Sequence, residues 1–242
     1  MRADLFRPAG SAAVDGEPVH LTPADAGWSF SGLRVLALPP HDRRRIVLDG
    51  IEAVALPLSG SCAIEVGSET FELDGRTDVF SRVSDFVYLP SGTEMVVRTE
   101  GGGELALPNA PATRALTPTY VPARAVGVEI RGGGVATRQI NNFLAADAFE
   151  AERLIAVEVL TPDGNWSSFP PHKHDEHTED EVPLEEIYYF RIRGEMAGPA
   201  ERAWRVCLDP AHEQLGELLG SLAPDPRCPL VTAEGPREVE RS

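Results

Sequence analysis

The sequence predicts an all-β protein built from antiparallel barrel units. Its 242 residues include 22 glycines and 21 prolines, which separate short apolar segments. Segments of this length divided by turn residues are typical of β-sandwiches and barrels. Turn signals such as Asp49-Gly50 and Ser91-Gly92 lie between them and supply positive φ at low steric cost. The strands predicted in the first half are residues 33–38, 52–57, 61–66, 69–73, 86–89, 94–98 and 104–107.

A second series of strands follows residues 108–122, a stretch rich in Pro, Ala and Thr that we interpret as a linker. Its predicted strands are residues 126–131, 137–143 and 154–160. Two successive β units suggest a duplicated barrel. The first unit, residues 1–107, is predicted to hold no metal, because its strand-dense part contains no histidine.

Composition excludes several classes of partner. The net charge of −16 disfavours nucleic acid and anionic membranes, which both require a basic face. No apolar run approaches the roughly 18 residues that span a bilayer, and the first residues lack the apolar core of a signal peptide. Cys62, Cys207 and Cys228 show no paired spacing, which fits a reducing compartment. We therefore predict a cytoplasmic protein.

The strand predicted at residues 154–160 leads into a His-x-His motif. On a β-strand, His172 and His174 would present their imidazoles to the same face, while Lys173 would point away. Either Glu185 or Glu186 could return as a carboxylate ligand. Two nitrogens and an oxygen suit Zn, Mn, Fe, Ni or Co. A solvated turn is the alternative interpretation of a His-x-His in so acidic a loop.

Several long motifs, in order along nearly the whole chain, resemble the 5-deoxy-glucuronate isomerases of inositol degradation, a bicupin family. The motifs are AGWSFSGLRVLAL, ALPLSGSCAIEV, FELDGRTDVFSRVSDFVYLP, GGGELAL, YVPA, VEIRGGGVATRQINNF, LIAVEVLTPDGNWSS, PPHKHD and LEEIYYFR. The resemblance implies two antiparallel jelly-roll units. It also implies a metal site like that of 5-keto-4-deoxyuronate isomerase, with two histidines, a glutamate and a third histidine.

On this resemblance His172 and His174 match the first two ligands, and Glu186 matches the glutamate better than Glu185 does. The family's next segment, which ends in a Gly-Tyr-His-Pro turn bearing the third histidine, is absent from this sequence. We therefore predict an internal deletion between about Ile192 and Met196. Residues 123–195 would form an incomplete metal-binding cupin, and residues 196–242 a tail whose His212 is not assigned as a ligand.

The resemblance implies conversion of 5-deoxy-D-glucuronate to 5-dehydro-2-deoxy-D-gluconate by metal-assisted proton transfer. The candidate bases are Glu185 and a metal-bound water. Lys173, Arg138 and Arg191 are candidate partners of the substrate carboxylate, with surface or structural charge as the alternative role of each. The only partner we expect is a small sugar acid, with a homo-oligomer left open.

Because the Gly-Tyr-His-Pro segment is missing, we predict weaker metal binding and lower isomerase activity than in a complete family member. One alternative function is therefore a non-catalytic sugar-acid-binding or relic cupin protein. Another is a metal-dependent dioxygenase, which the long motifs disfavour.

Overall fold

The computed structural model describes residues 6–145, 148–167, 174, 176–178 and 182–193. Almost all of its regular structure is antiparallel strand, which confirms the predicted fold class. The one α-helix within the described residues is short: α1, Pro23–Ala26. The strands are β1 Val19–Leu21, β2 Gly32–Leu38, β3 Arg43–Val47, β4 Ile51–Val66, β5 Glu69–Arg76, β6 Phe86–Leu89, β7 Glu94–Arg98, β8 Gly103–Pro111, β9 Thr119–Val121, β10 Gly127–Arg131, β11 Arg138–Leu144 and β12 Ala156–Leu160. Among the described residues, no helix has the length and apolar character needed to cross a membrane.

Strand β4 belongs to both layers of the first unit. Its first part pairs with β6 and β8 in the layer β1-β2-β8-β4-β6-β9, and its second part pairs with β5 and β7 in the other layer. The change of partner occurs around Gly60, which has a φ of 78°. A Cβ at this position would lie 2.2 Å from the carbonyl oxygen of Gly102. Only glycine therefore permits this close passage of two strands.

The space between the two layers is filled by aliphatic side chains. Leu36 and Leu105 extend from one layer, and Ile64 and Met95 extend from the other, all with 1% exposure or less. Alternating residues of each strand face this core, so the period-two pattern in the sequence follows the pleat of the strands. Full burial of each such side chain contributes about 1.5–3 kcal/mol relative to its exposure.

Cys62 lies in this core and should be chemically inert. Burial, followed by the negative charges of Asp85 and Glu72, raises the pKa of its thiol to about 12. At pH 8.5 the reactive thiolate is therefore a negligible fraction. We expect iodoacetamide to leave Cys62 unmodified in the native chain and to modify it in urea, as read by mass spectrometry of its peptide. Equal modification rates in both states would contradict the burial.

A separate three-stranded antiparallel sheet, β10-β11-β12, follows; we call this sheet and the chain beyond it the second unit, and the preceding sheet with its core the first unit. Strands β10 to β12 fall close to the three predicted ones, and Asn141 of β11 pairs with both Val128 and Glu158. Residues 108–122, interpreted as a linker, contribute at both ends to the first sheet. Their first four residues continue β8, and β9 pairs with β6.

A buried carboxylate, Glu52 of β4, connects the two units. The residue has no exposed surface. Its oxygens accept hydrogen bonds from the amides of Glu152, Arg153 and Leu154 at 2.9, 2.6 and 2.8 Å. The hydroxyl of Tyr88 donates a fourth bond at 2.6 Å. Burial and the adjacent carboxylate raise the pKa of Tyr88. Glu52 thus fixes the chain just before β12 against the first unit.

A buried guanidinium, that of Arg76 at the end of β5, makes a second connection. It donates to the carbonyl oxygens of Pro57 and Arg82 at 3.0 and 3.2 Å. It also forms a bidentate pair with Glu158 of β12, at 2.7 and 3.0 Å. The amide of Asn141 donates to the same carboxylate at 2.8 Å. The charge is therefore paired and hydrogen-bonded on both sides, as burial requires.

Candidate metal centre

Residues 182–193, which include the LEEIYYFR motif, run along the surface of the first unit. Their contacts alternate with the period of two that is typical of an extended chain. Ile187 and Tyr189 pack on the apolar cluster that contains Leu58 and Val79. Apart from an isolated bridge at Ile187, the segment has no strand pairing among the described residues. It is therefore held mainly by its side chains.

Glu185 begins this series of contacts. Its carboxylate accepts hydrogen bonds from the backbone amides of Ser29, Phe30 and Ser31 at 2.8, 2.6 and 2.8 Å. The hydroxyl of Ser31 donates to the carbonyl oxygen of Glu185 at 2.8 Å. Both the side chain and the backbone of this residue are thus attached to the turn that precedes β2. The candidate base lies on the side of the segment that faces the first unit.

Arg191 and Arg193 end the series on the same side. Arg191 pairs with Glu104 and lies 5.9 Å from the ring centre of Tyr189. Burial alone would lower the pKa of Arg191, but its interactions with Glu104 and Tyr189 together outweigh burial and raise the pKa. The guanidinium of Arg193 lies 4.8 Å from the ring centre of Phe80. The charge of Arg191 is therefore already partnered within the protein.

In an extended chain the alternate residues point to the opposite side. Two of them, Tyr188 and Phe190, stack their rings on each other at 6.0 Å with an interplanar angle of 13°. Ile192 follows and is 76% exposed. Because successive side chains of an extended chain point to opposite sides, we expect the adjacent carboxylates of Glu185 and Glu186 to lie in different surroundings.

The segment is hydrogen-bonded to the chain near the His-x-His motif. The amide of Leu184 donates to the carbonyl oxygen of His174 at 3.0 Å. Glu186 lies two residues beyond Leu184, and both His174 and Glu186 are half-buried. The structure thus brings His174 and Glu186 into neighbouring stretches of chain. His172 and Lys173 lie outside the described residues.

The chain that leads toward the histidines lies beside the turn between β10 and β11. The side-chain amide of Asn165 donates to the carbonyl oxygen of Thr137 at 2.8 Å, and the Trp166 amide donates to that of Val135 at 2.8 Å. Arg138, the residue after Thr137, is buried and donates to the carbonyl oxygen of Ala136 at 3.0 Å. Its role as a substrate partner stays a prediction, as does that of Arg191.

Within the part of the chain that the structure describes, no three His, Cys, Asp or Glu side chains form a metal-binding group. Because His172 lies outside that part, the predicted ligand set stays a prediction.

Sequence reasoning missed the charged residues that join the units, namely Glu52, Arg76 and the anchoring role of Glu185. For Glu52 there was a signal: it is a single carboxylate inside the apolar strand IEAVALPL. A charge at a buried strand position is retained only when it is paired or fully hydrogen-bonded. For Glu185 there was no comparable signal, because its partners are backbone amides far away in sequence.

Comparison with known proteins places these features in a family. The model of the KduI/IolB family matches residues 5–195. The 5-deoxy-glucuronate isomerase of Geobacillus thermodenitrificans is 38% identical over 193 residues, which cover 78% of this chain and 70% of the relative. That of Geobacillus kaustophilus is 37% identical over 194 residues, covering 78% and 69%.

Among solved structures, an IolB-like protein from Salmonella typhimurium superposes with a TM-score of 0.72 at 33% identity. The superposition covers 77% of this chain and 71% of that one. The names of the relatives support the assignment of this chain as an isomerase. The extent of the sequence match, together with the shared fold, shows that the chain belongs to the KduI/IolB family.

Proposed function

We propose that the chain is a metal-dependent aldose-ketose isomerase that converts 5-deoxy-D-glucuronate to 5-dehydro-2-deoxy-D-gluconate. The curated relatives named above carry the name of this activity. The observation that carries the proposal is the alternation along residues 182–193. With Glu185 bound to the first unit, this alternation supports a position for Glu186 on the opposite side of the segment, and the Leu184–His174 hydrogen bond supports a position for His174 nearby.

His172, His174 and Glu186 are the residues proposed to hold the cation. In antiparallel chains, a hydrogen bond between residues 174 and 184 sets them opposite each other. The same register, continued by two residues, predicts His172 opposite Glu186. Residues 172, 174 and 186 would then share one face. Two imidazoles and a carboxylate suit Zn, Mn, Fe, Ni or Co. A bound cation would supply Lewis-acid stabilisation of the charge that develops on the substrate oxygens.

The protein groups around this site have separate tasks. Lys173 and Arg138 are proposed to attract the substrate carboxylate. Arg138 follows the turn that contacts Asn165 and Trp166, which precede the histidine motif in sequence. Arg191, although considered for the same task, is paired with Glu104. Glu185 could act as a base only if its carboxylate broke the hydrogen bonds with three backbone amides, which are 2.6–2.8 Å long. Its geometry therefore favours anchoring over proton transfer.

A second candidate function is sugar-acid binding without turnover. The sequence lacks the Gly-Tyr-His-Pro segment that the resemblance associates with a third histidine ligand. The family match ends at residue 195, close to the predicted point of deletion. A site with two imidazoles and one carboxylate would bind metal more weakly and orient the substrate less well than a complete one.

Replacement of His174 by alanine should remove most metal binding, because it deletes one of only three proposed ligands. We expect the metal content after Mn²⁺ loading and desalting to fall at least about tenfold, measured by elemental analysis. The matched control is His177→Ala, which removes an exposed imidazole three residues away and should leave the metal content unchanged.

Turnover separates the two candidate functions. The native chain with Mn²⁺ should convert 5-deoxy-D-glucuronate, and the rate should fall with His174→Ala. Metal binding and saturable sugar-acid binding without turnover would favour the binding protein. A metal content that His174→Ala leaves unchanged would reject the ligand assignment itself.

A further inference from the structure

We infer that Glu185 is the positioning residue of the proposed metal centre: by binding the backbone amides of residues 29–31, its carboxylate fixes the register that would direct Glu186 to the opposite side of the segment, where the cation is proposed to bind. This inference rests on the proposed function, because Glu186 must be a ligand for its orientation to affect metal binding. It assigns a separate task to each member of the adjacent carboxylate pair.

Because Glu185 and Glu186 are adjacent and chemically identical, either one could occupy the ligand position if the segment shifted by one residue. A shift of an extended chain by one residue exchanges the sides to which all its side chains point. Such a shift would direct Glu185 to the metal and Glu186 to the first unit. The apolar contacts of Ile187 and Tyr189 and the ion pair of Arg191 with Glu104 oppose the shift farther along the segment, but none of them acts at the glutamate pair itself.

The turn at residues 29–31 fixes the register at the glutamate pair itself. Its three amides converge on the two oxygens of one carboxylate, at 2.6–2.8 Å. A glutamine has a single acceptor oxygen, and its NH₂ group would face the amide donors. The Ser31 hydroxyl binds the carbonyl oxygen of Glu185 in addition, so that the backbone is fixed at the residue before Glu186. The site therefore recognises a carboxylate at residue 185 specifically.

Loss of this attachment should weaken the metal site through Glu186. Removal of an outer partner that orients a metal ligand typically reduces metal affinity about 10- to 100-fold. We therefore expect Glu185→Gln to reduce Co²⁺ affinity by a factor in this range and to change the visible absorption of bound Co²⁺. The control is Glu152→Gln, because the Glu152 carboxylate also binds two backbone amides, those of Thr113 and Arg114 at 2.7 and 2.6 Å, in a separate region.

The experiment titrates Co²⁺ into the full chain and its variants by calorimetry and visible absorption. The set comprises the native chain, Glu185→Gln, Glu186→Gln, the double variant Glu185→Gln/Glu186→Gln and Glu152→Gln. If Glu185 acts through Glu186, the double variant should bind Co²⁺ no more weakly than Glu186→Gln alone. Hydrogen exchange adds a metal-free measurement: Glu185→Gln should accelerate exchange of the amides at residues 29–31.

The outcomes separate the inference from the proposed function. If the native chain binds Co²⁺ and Glu185→Gln binds it with the same affinity, the inference is overturned and the metal site stands. Equal losses in Glu185→Gln and Glu152→Gln would show general destabilisation and would also overturn it. A further loss in the double variant would show that Glu185 does not act through Glu186. If the native chain binds no Co²⁺, the metal site fails, and the inference fails with it.

Discussion

Restoring the absent histidine-bearing segment between Ile192 and Met196 should raise turnover of 5-deoxy-D-glucuronate by about 100-fold or more. The segment can be taken from the corresponding part of the Geobacillus thermodenitrificans relative, of which the present chain spans 70%. A third imidazole adds binding energy for the cation and fixes its orientation toward the substrate. The restored segment should also pair with strand edges of the second unit, whose backbone N–H and C=O groups otherwise have no strand partner among the described residues.

A second restored chain separates these two effects. It carries the same segment with the histidine of the Gly-Tyr-His-Pro turn replaced by alanine. If the ligand is decisive, this control should keep the stability gained on restoration but lose most of the gained turnover. The measurements are steady-state kinetics with saturating Mn²⁺ and urea unfolding of each chain. Equal turnover by the original and restored chains would show that the chemistry does not require the segment.

Replacement of Glu52 by alanine should lower the free energy of unfolding by about 3–5 kcal/mol. The substitution removes the acceptor of four hydrogen bonds, from the Tyr88 hydroxyl and the amides of Glu152, Arg153 and Leu154. It leaves these donors without their partner and creates a cavity in a site that has no exposed surface. Each unsatisfied buried donor costs about 1–3 kcal/mol.

The matched variant Tyr88→Phe removes only one of the four donors and should cost about 1 kcal/mol. Urea unfolding followed by tryptophan fluorescence measures both changes. A loss after Glu52→Ala no larger than that after Tyr88→Phe would mean that the three amides find other partners. In that case Glu52 would not be the main connection between the units.

Local pattern was sufficient to predict most strands of the fold. The predicted segment 86–89 matches β6, and 126–131 matches β10 to within one residue. Strand β4 is the instructive exception, because the sequence predicted two strands, 52–57 and 61–66, divided by a turn at Ser59-Gly60. In the structure a single strand of 16 residues passes through this point with irregular pairing. A Ser-Gly pair signals a bend, and only the neighbouring strands determine whether pairing continues through it.

The candidate site was predictable to a smaller extent. The i, i+2 spacing and the resemblance predict His172, His174 and Glu186 as ligands, and this set stays a prediction. The structure shows a hydrogen bond from the Leu184 amide to the carbonyl oxygen of His174. The contacts of Arg191 and Glu185 could not be anticipated. Arg191 meets a carboxylate 87 positions earlier, and Glu185 meets amides more than 150 positions earlier. No local pattern encodes pairings over such separations.

The way Glu52 connects the two units also determines how freely residues 152–154 can vary in evolution. Its carboxylate recognises three peptide N–H groups, which every amino acid except proline provides. Side chains at these three positions can therefore change without loss of those hydrogen bonds, provided that their own packing is satisfied. The connection depends on the identity of one residue in the first unit but only on the backbone path of the second. Such an arrangement permits the second unit to diverge in sequence while its attachment to the first is retained.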